Sequence, residues 1–248
     1  MRKLLSVFWD VDGTLAETEL SGHRVAFNRA FQDFDLDWIW DKKQYLELLK
    51  VSGGLNRIIF YKKLINYDLS DDVCSKIQLR KRFHYKEILK TGKIVPRDGV
   101  LRLIEELGRN NIQQFIVTTS GRESLDPFLN TSLKSYQHFF SRIITYEDVK
   151  NHKPFPDAYE LAVKLSKNSN SNCLAIEDSE IGVEAAISAN INCLLTLTPL
   201  LHSSHNITDK ANACVDSIGS KLYPSNLFYG KELNNYCVDL NYLTNIIN

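Results

Sequence analysis

The chain has 248 residues, 44% of them hydrophobic and 24% charged, with 30 basic against 30 acidic side chains and a formal net charge of zero. Such a balance gives no electrostatic reason to expect nucleic acid or a membrane surface as partner. No apolar run approaches the ~20 residues of a membrane span, and the charged start Met1-Arg2-Lys3 leads into an apolar stretch too short for a signal peptide.

In chain order, the first element is Leu4 to Trp9, a short apolar strand that runs directly into Asp10-Val11-Asp12-Gly13-Thr14. Carboxylates two residues apart on extended backbone point the same way. From 21 to 92 the pattern is helical. Ala26, Phe27, Ala30, Phe31 and Phe34 share one face, Ile58, Ile59, Leu64 and Ile65 another at looser spacing, and Asp71 to Lys90 carries Val73, Ile77, Phe83, Ile88 and Leu89. Ser52-Gly53-Gly54 marks a loop within this run, and Pro96 with Asp98-Gly99 marks its end. Beyond it, helix and strand alternate. A helix through Val100, Leu101, Ile104 and Leu107 precedes the strand Phe115-Ile116-Val117, which ends in Thr118-Thr119-Ser120-Gly121. A strand over 139–145, a helix over 156–167 and the strand Cys173 to Ile176, ending in Glu177-Asp178, come next. A helix through Ala185, Ala186 and Ala189 and short strands over 191–197 and 213–215 close the series, while the Asn- and Tyr-rich tail over 221–248 carries no clear pattern. Alternation of this kind predicts an α/β fold, a doubly wound parallel sheet with helices on both faces. The helical stretch interrupts it just after the first strand. The five cysteines lack C-x-x-C spacing and read as reduced thiols, so the expected compartment is cytoplasmic.

Four polar sets end these strands or follow them closely: Asp10 with Asp12, Thr118, Lys153 in Asn151-His152-Lys153-Pro154, and Glu177 with Asp178. In a parallel sheet they gather at its carboxyl edge, where open α/β sheets bind ligands. Hard carboxylate oxygens suit Mg2+, and a Lys and a Thr can neutralise and orient phosphoryl oxygens. The pair His202 and His205 has no third ligand nearby and reads as a polar loop.

The ordered set Asp10-Val11-Asp12-Gly13-Thr14, Thr118, Lys153 and Glu177-Asp178 resembles the four motifs of the haloacid dehalogenase superfamily. That resemblance implies a Rossmann-like core over 1–16 and 96–248 with an α-helical, specificity-setting cap over 17–95. It implies Asp10 as nucleophile, Asp12 as general acid and base, and phosphoryl contacts from Thr118, the Thr119 backbone and Lys153. It also implies Mg2+ held by Asp10, the Asp12 carbonyl and Asp178, with Glu177 bound directly or through a water.

Within that superfamily, Glu17-Thr18-Glu19, Gly22 to Asn28, Trp38, Trp40, Tyr45 and Leu48 to Gly54 resemble the CbbY group of xylulose-1,5-bisphosphate phosphatases, more than the sister β-phosphoglucomutases. The resemblance implies a small-molecule sugar phosphate as partner, in a monomer. It implies Glu17 on sugar hydroxyls, and a distal phosphate gripped from among His23, Arg57, Arg122, Ser52, Gly53, Gly54 and Ser120. His23 reads equally as a helix-start residue and Arg57 as a solvated helical charge. The group's loop continues Gly-Gly-Lys-Glu-Arg, whereas this chain has Gly53-Gly54-Leu55-Asn56-Arg57. Either a neighbour such as Lys50 or Lys62 compensates for the missing cation or the preferred substrate differs, with Arg57 expected to keep the distal phosphate. A sugar phosphate mutase, a phosphatase of another small ester such as phosphoglycolate, and a non-catalytic binding protein are the alternatives.

Overall fold

The computed structural model describes residues 2–51, 53–198 and 210–248, so Ser52 and the pair His202 and His205 lie outside the described residues. The chain divides into two compact units, Met1–Glu17 with Val95–Asn248, and Thr18–Ile94.

The first unit is built on a seven-stranded sheet: β1 (Ser6–Trp9), β2 (Gln113–Val117), β3 (Phe140–Ile144), β4 (Cys173–Glu177), β5 (Asn192–Thr196), β6 (Ala213–Val215) and β7 (Leu227–Tyr229), in the order β3-β2-β1-β4-β5-β6-β7. β1 pairs in parallel with β2 on one side and β4 on the other. Every residue of β1 and β4 is buried, as expected of central parallel strands covered on both faces. The order reverses between β1 and β4, which opens the switch-point crevice at their carboxyl ends.

Alternation along β1 separates the two faces. Phe8 packs with Phe115, Val117 and Ile144, and with residues of α7 (Asp157–Ser166) and α8 (Glu180–Ser188). Trp9 faces the other way, its indole N–H donating to Gln114 Oε1 at 3.0 Å. Gln114 Nε2 donates in turn to the Ile104 carbonyl at 2.9 Å, on α5 (Val100–Arg109). α5 buries Val100, Leu103, Ile104 and Leu107, the spacing of one helical stripe.

Three features of this unit depart from the sequence reading. β7 pairs antiparallel with β6, so the sheet is mostly but not wholly parallel. The tail also forms α9 (Leu240–Ile246), tied to α5 through the Leu240 N–H on Glu106 Oε1 at 2.9 Å. A helix α6 (Arg122–Thr131) follows β2, carrying Pro127 inside it. Proline weakens the local helical signal there.

The second unit is helical: α1 (Arg24–Asp33), α2 (Lys42–Leu48), α3 (Gly54–Leu64) and α4 (Asp71–Lys90). Its core is aromatic, with Phe27, Phe31, Trp38, Trp40, Tyr45 and Tyr61 in one buried cluster. The Trp40 ring lies 4.7 Å from both Phe27 and Phe31. α4 starts where Ser70 accepts from the Val73 N–H at 3.2 Å, with Asp71 and Asp72 in its first turn, a cap and charge arrangement that favours the helix start. Leu64, Ile65 and Phe83 are exposed rather than on the inner faces that their spacing suggested, because the aromatic cluster already fills the interior. All five cysteines are free, and among the described residues no helix is long and apolar enough to cross a membrane.

Candidate active site

The carboxyl ends of β1, β2 and β4 and the loop after β3 bring together most of the polar residues singled out in the sequence. Asp10 follows β1, its N–H donating to the Ile176 carbonyl at 3.0 Å, and Thr118 follows β2, its N–H donating to the Ile144 carbonyl at 3.0 Å. Lys153 Nζ donates to Asp10 Oδ1 at 2.8 Å and to the Val117 carbonyl at 2.9 Å, and pairs with Glu177 Oε1 at 2.6 Å. Three acceptors use all three ammonium donors, so the lysine is fixed in place.

Burial makes this cluster electrostatically tense. Burial, opposed by Lys153 and reinforced by Glu177, pushes Asp10 up to about 7. Burial also works against the Lys153 charge, yet Asp10 and Glu177 outweigh it and raise the lysine. Two carboxylates thus face one ammonium, leaving a surplus negative charge that a proton or a cation can offset. Tyr159, on α7, donates its hydroxyl to Glu177 Oε1, while Glu177 Oε2 is buried without a hydrogen-bond partner. Asp10, Glu177 and Asp178 each offer an oxygen within 4.8 Å of the others, the only such group of three metal-ligating side chains among the described residues. Hard oxygens at that spacing, one of them orphaned, fit a divalent cation such as Mg2+.

Asp12 stands to one side of this set, Oδ2 accepting from Ser120 Oγ at 2.5 Å. Ser120 N–H donates to Thr118 Oγ1 at 3.0 Å, so the β2 loop holds both Thr118 and Asp12. Thr119 is exposed. Gly13 has φ +90°, and a Cβ there would lie 1.9 Å from Asp178 Oδ2, so only glycine lets Asp178 reach this position. Arg122 opens α6 with its N–H shared between Glu147 Oε1 at 3.1 Å and Oε2 at 3.2 Å, and its guanidinium on the Ile143 carbonyl at 3.3 Å. Glu17 is half-buried and belongs to this unit.

The remaining candidates lie in the helical unit. Arg57 is buried, with Nε donating to the Leu48 carbonyl at 3.0 Å and Nη1 to the Tyr45 hydroxyl at 3.2 Å. His23 directly precedes α1 without capping it, stacks on Tyr85 at 3.8 Å, and has Nδ1 2.7 Å from Lys81 Nζ. Gly53, at φ +84°, precedes α3, and a Cβ on Gly54 would meet the Gln78 amide at 2.6 Å. Lys50 pairs with Glu47 on the surface, and Lys62 bonds the Leu69 carbonyl and Asp71. Leu55 packs against the aromatic core.

Two residues of these clusters escaped the sequence reading. Tyr159 gave no signal, lying inside an ordinary amphipathic helix. Lys81 did give one. It falls among Cys74, Ile77, Tyr85 and Ile88 on the buried stripe of α4, where lysine is rare.

The sequence profile of the haloacid dehalogenase-like hydrolases matches residues 7–196. Protein CbbY of Cupriavidus necator is 35% identical over 199 residues, which cover 78% of this chain and 78% of that protein. Two crystal structures of CbbY from Rhodobacter sphaeroides are similar to this chain, each covering 86% of it and 94% of theirs. One, in complex with phosphate, has a TM-score of 0.78 at 30% identity, and the other, in complex with xylulose-(1,5)bisphosphate, has 0.77 at 29%.

Proposed function

The chain belongs to the haloacid dehalogenase-like hydrolases, and we propose that it is a phosphatase that hydrolyses a sugar bisphosphate of the xylulose 1,5-bisphosphate type through an aspartyl-phosphate on Asp10. The observation that carries this reading is the Lys153 ammonium held between the buried carboxylates of Asp10 and Glu177 at the switch point of the sheet. A carboxylate fixed at a strand end and kept out of bulk water is equipped for nucleophilic attack on phosphorus.

In this mechanism Asp10 attacks in line and the bond from phosphorus to the leaving oxygen breaks. Asp12 gives its proton to the departing alkoxide and then takes one from the water that opens the acyl phosphate. Ser120 keeps Asp12 oriented until substrate arrives. Thr118 and the Thr119 N–H donate to the phosphoryl oxygens, and Lys153 offsets their charge. Mg2+, held by Asp10, Asp178, Glu177 and the Asp12 carbonyl, would supply further charge neutralisation when bound.

The helical unit retains anion-binding capacity despite Leu55. Arg57 and Lys81 both stand over the Phe27 ring, at 6.0 and 4.9 Å from its centroid, and a guanidinium suits a phosphate dianion. The bisphosphate reading also draws on the bound ligand of the Rhodobacter sphaeroides CbbY structure. We assign the distal phosphate to Arg57. Arg57→Ala is expected to lower kcat/KM for a bisphosphate at least about tenfold, the size of a lost charge-assisted contact, and to leave hydrolysis of β-glucose 1-phosphate, which has no second anion, nearly unchanged. Equal losses on both substrates would show that Arg57 only holds the helices together.

The substrate assignment is tested by phosphate release, with and without chelator, from xylulose 1,5-bisphosphate, ribulose 1,5-bisphosphate, β-glucose 1-phosphate and phosphoglycolate. A strong preference for the first, abolished by chelator, is the expected result. Conversion of β-glucose 1-phosphate to its 6-phosphate without phosphate release would instead make the protein a mutase, and full activity in excess chelator would remove the metal.

A further inference from the structure

Arg97, in the turn before α5, commits its guanidinium to main-chain carbonyls and one hydroxyl among the described residues, with Asp178, Asp216 and Glu17 supporting its charge from nearby. Its Nη1 donates to the Gly13 carbonyl, to the Thr196 carbonyl at 3.4 Å and to Thr196 Oγ1 at 3.2 Å. Its Nη2 donates to the Leu197 carbonyl at 2.7 Å and the Asp216 carbonyl at 2.6 Å, and its own N–H donates to the Leu15 carbonyl at 2.8 Å. One guanidinium thus ties the loop after β1 to the ends of β5 and β6, where parallel strands leave carbonyls without partners.

The loop atom it grips matters most. Gly13 is the residue against whose α-carbon the Asp178 carboxylate is seated, and Asp178 is one of the three acids grouped for a cation. Thr196, which receives two of the Arg97 bonds, also donates its hydroxyl to the Glu177 carbonyl at 3.3 Å. Arg97 therefore reaches the backbone supporting Asp178 from one side and that supporting Glu177 from the other, with the Asp178 charge close enough to act on its guanidinium.

We infer that Arg97 is a positioning residue for the divalent-cation site: its planar fork sets the spacing of Gly13 against β5 and so the seat of Asp178. The inference rests on the Mg2+ reading above. Its sign separates geometry from charge. A positive charge near a cation site repels the cation, so if Arg97 acted only through its charge, removing it would tighten Mg2+ binding. If it acts by holding the backbone, removing it loosens binding, and Arg97→Lys loosens it too, because an ammonium keeps the charge but not the fork.

The test is calorimetric titration of Mg2+ into the substrate-free protein, alongside thermal melting. Arg97→Met and Arg97→Lys are expected to weaken Mg2+ by roughly 10–100-fold, the usual cost of losing a residue that orients metal ligands. Leu103→Ala, which opens a cavity in the buried face of α5, should lower Tm and leave the Mg2+ Kd unchanged. Tighter binding by Arg97→Met, or wild-type affinity in Arg97→Lys, overturns the inference. Should Arg97→Met not fold, Arg97→Lys decides alone. Absence of Mg2+ binding by the wild type overturns the metal reading itself, a result distinct from equal binding by wild type and variants.

Discussion

Asp10→Asn should abolish phosphate release, by at least about 10,000-fold, while the protein still folds. An amide is isosteric with the carboxylate but does not attack phosphorus, and loss of a nucleophile costs orders of magnitude more than loss of a binding contact. The fold survives because the amide oxygen still accepts from Lys153, which also keeps its bonds to Glu177 and the Val117 carbonyl. A pH signature accompanies the change. Burial pushes the wild-type Asp10 carboxyl from 3.8 up to about 7, so the folded protein holds a proton there that the unfolded chain releases. That contribution to stability is complete below pH ~4 and is lost as pH rises through ~7. In cation-free buffer the Tm of Asp10→Asn should therefore gain on that of the wild type between those limits. Turnover within tenfold of wild type would remove Asp10 as the nucleophile, and a Tm difference independent of pH would show that its carboxyl is not perturbed.

The β1 segment shows why so much of this site was legible. Buried parallel strands read as nearly continuous apolar runs, so the switch from Phe8-Trp9 to Asp10-Val11-Asp12-Gly13 marks the point where the chain leaves the sheet. The same switch occurs after Val117 and Ile176, and the pairing of β1 with β2 and β4 puts those points side by side. The family resemblance came from the same residues and agrees with the profile match over 7–196. What stayed hidden depends on contacts between elements distant in sequence. Nothing in Pro96-Arg97-Asp98-Gly99 foretells that Arg97 joins three strand ends, and Tyr159 looks like any apolar position of α7 until Glu177 is placed opposite it. The helical unit was harder still. Spacing put Leu64 and Phe83 inward, but six aromatic rings fill the interior, and Lys81 takes a place on the buried stripe that the pattern reserves for apolar residues. β7 is only three residues long, too short for alternation to register.

Lys153→Met should be both inactive and markedly less stable, and the two losses should respond differently to Mg2+. Lys153 is the only ion-pair partner of Asp10 and Glu177 among the described residues. Those carboxylates are 7% and 0% exposed. Methionine fills the space of the lysine stem but leaves both carboxylates without their ammonium, and at a pH well above the ~7 of the Asp10 carboxyl removing one side of a buried ion pair costs about 3–5 kcal/mol. For a domain of this size that corresponds to a Tm lower by roughly 6–20 °C. The Tyr159 hydroxyl on Glu177 limits the damage on one carboxylate only, because Asp10 has no comparable neutral donor in the lysine's place. A divalent cation is the natural replacement for the missing charge, so Mg2+ should raise the Tm of the variant by more than that of the wild type. Phosphate release should stay lost even then, since the charge Lys153 brings to the phosphoryl oxygens is not restored. A fall in Tm of under ~2 °C would mean that the buried carboxylates take up protons at little cost instead of remaining charged, and equal stabilisation of both proteins by Mg2+ would place the cation away from Asp10 and Glu177.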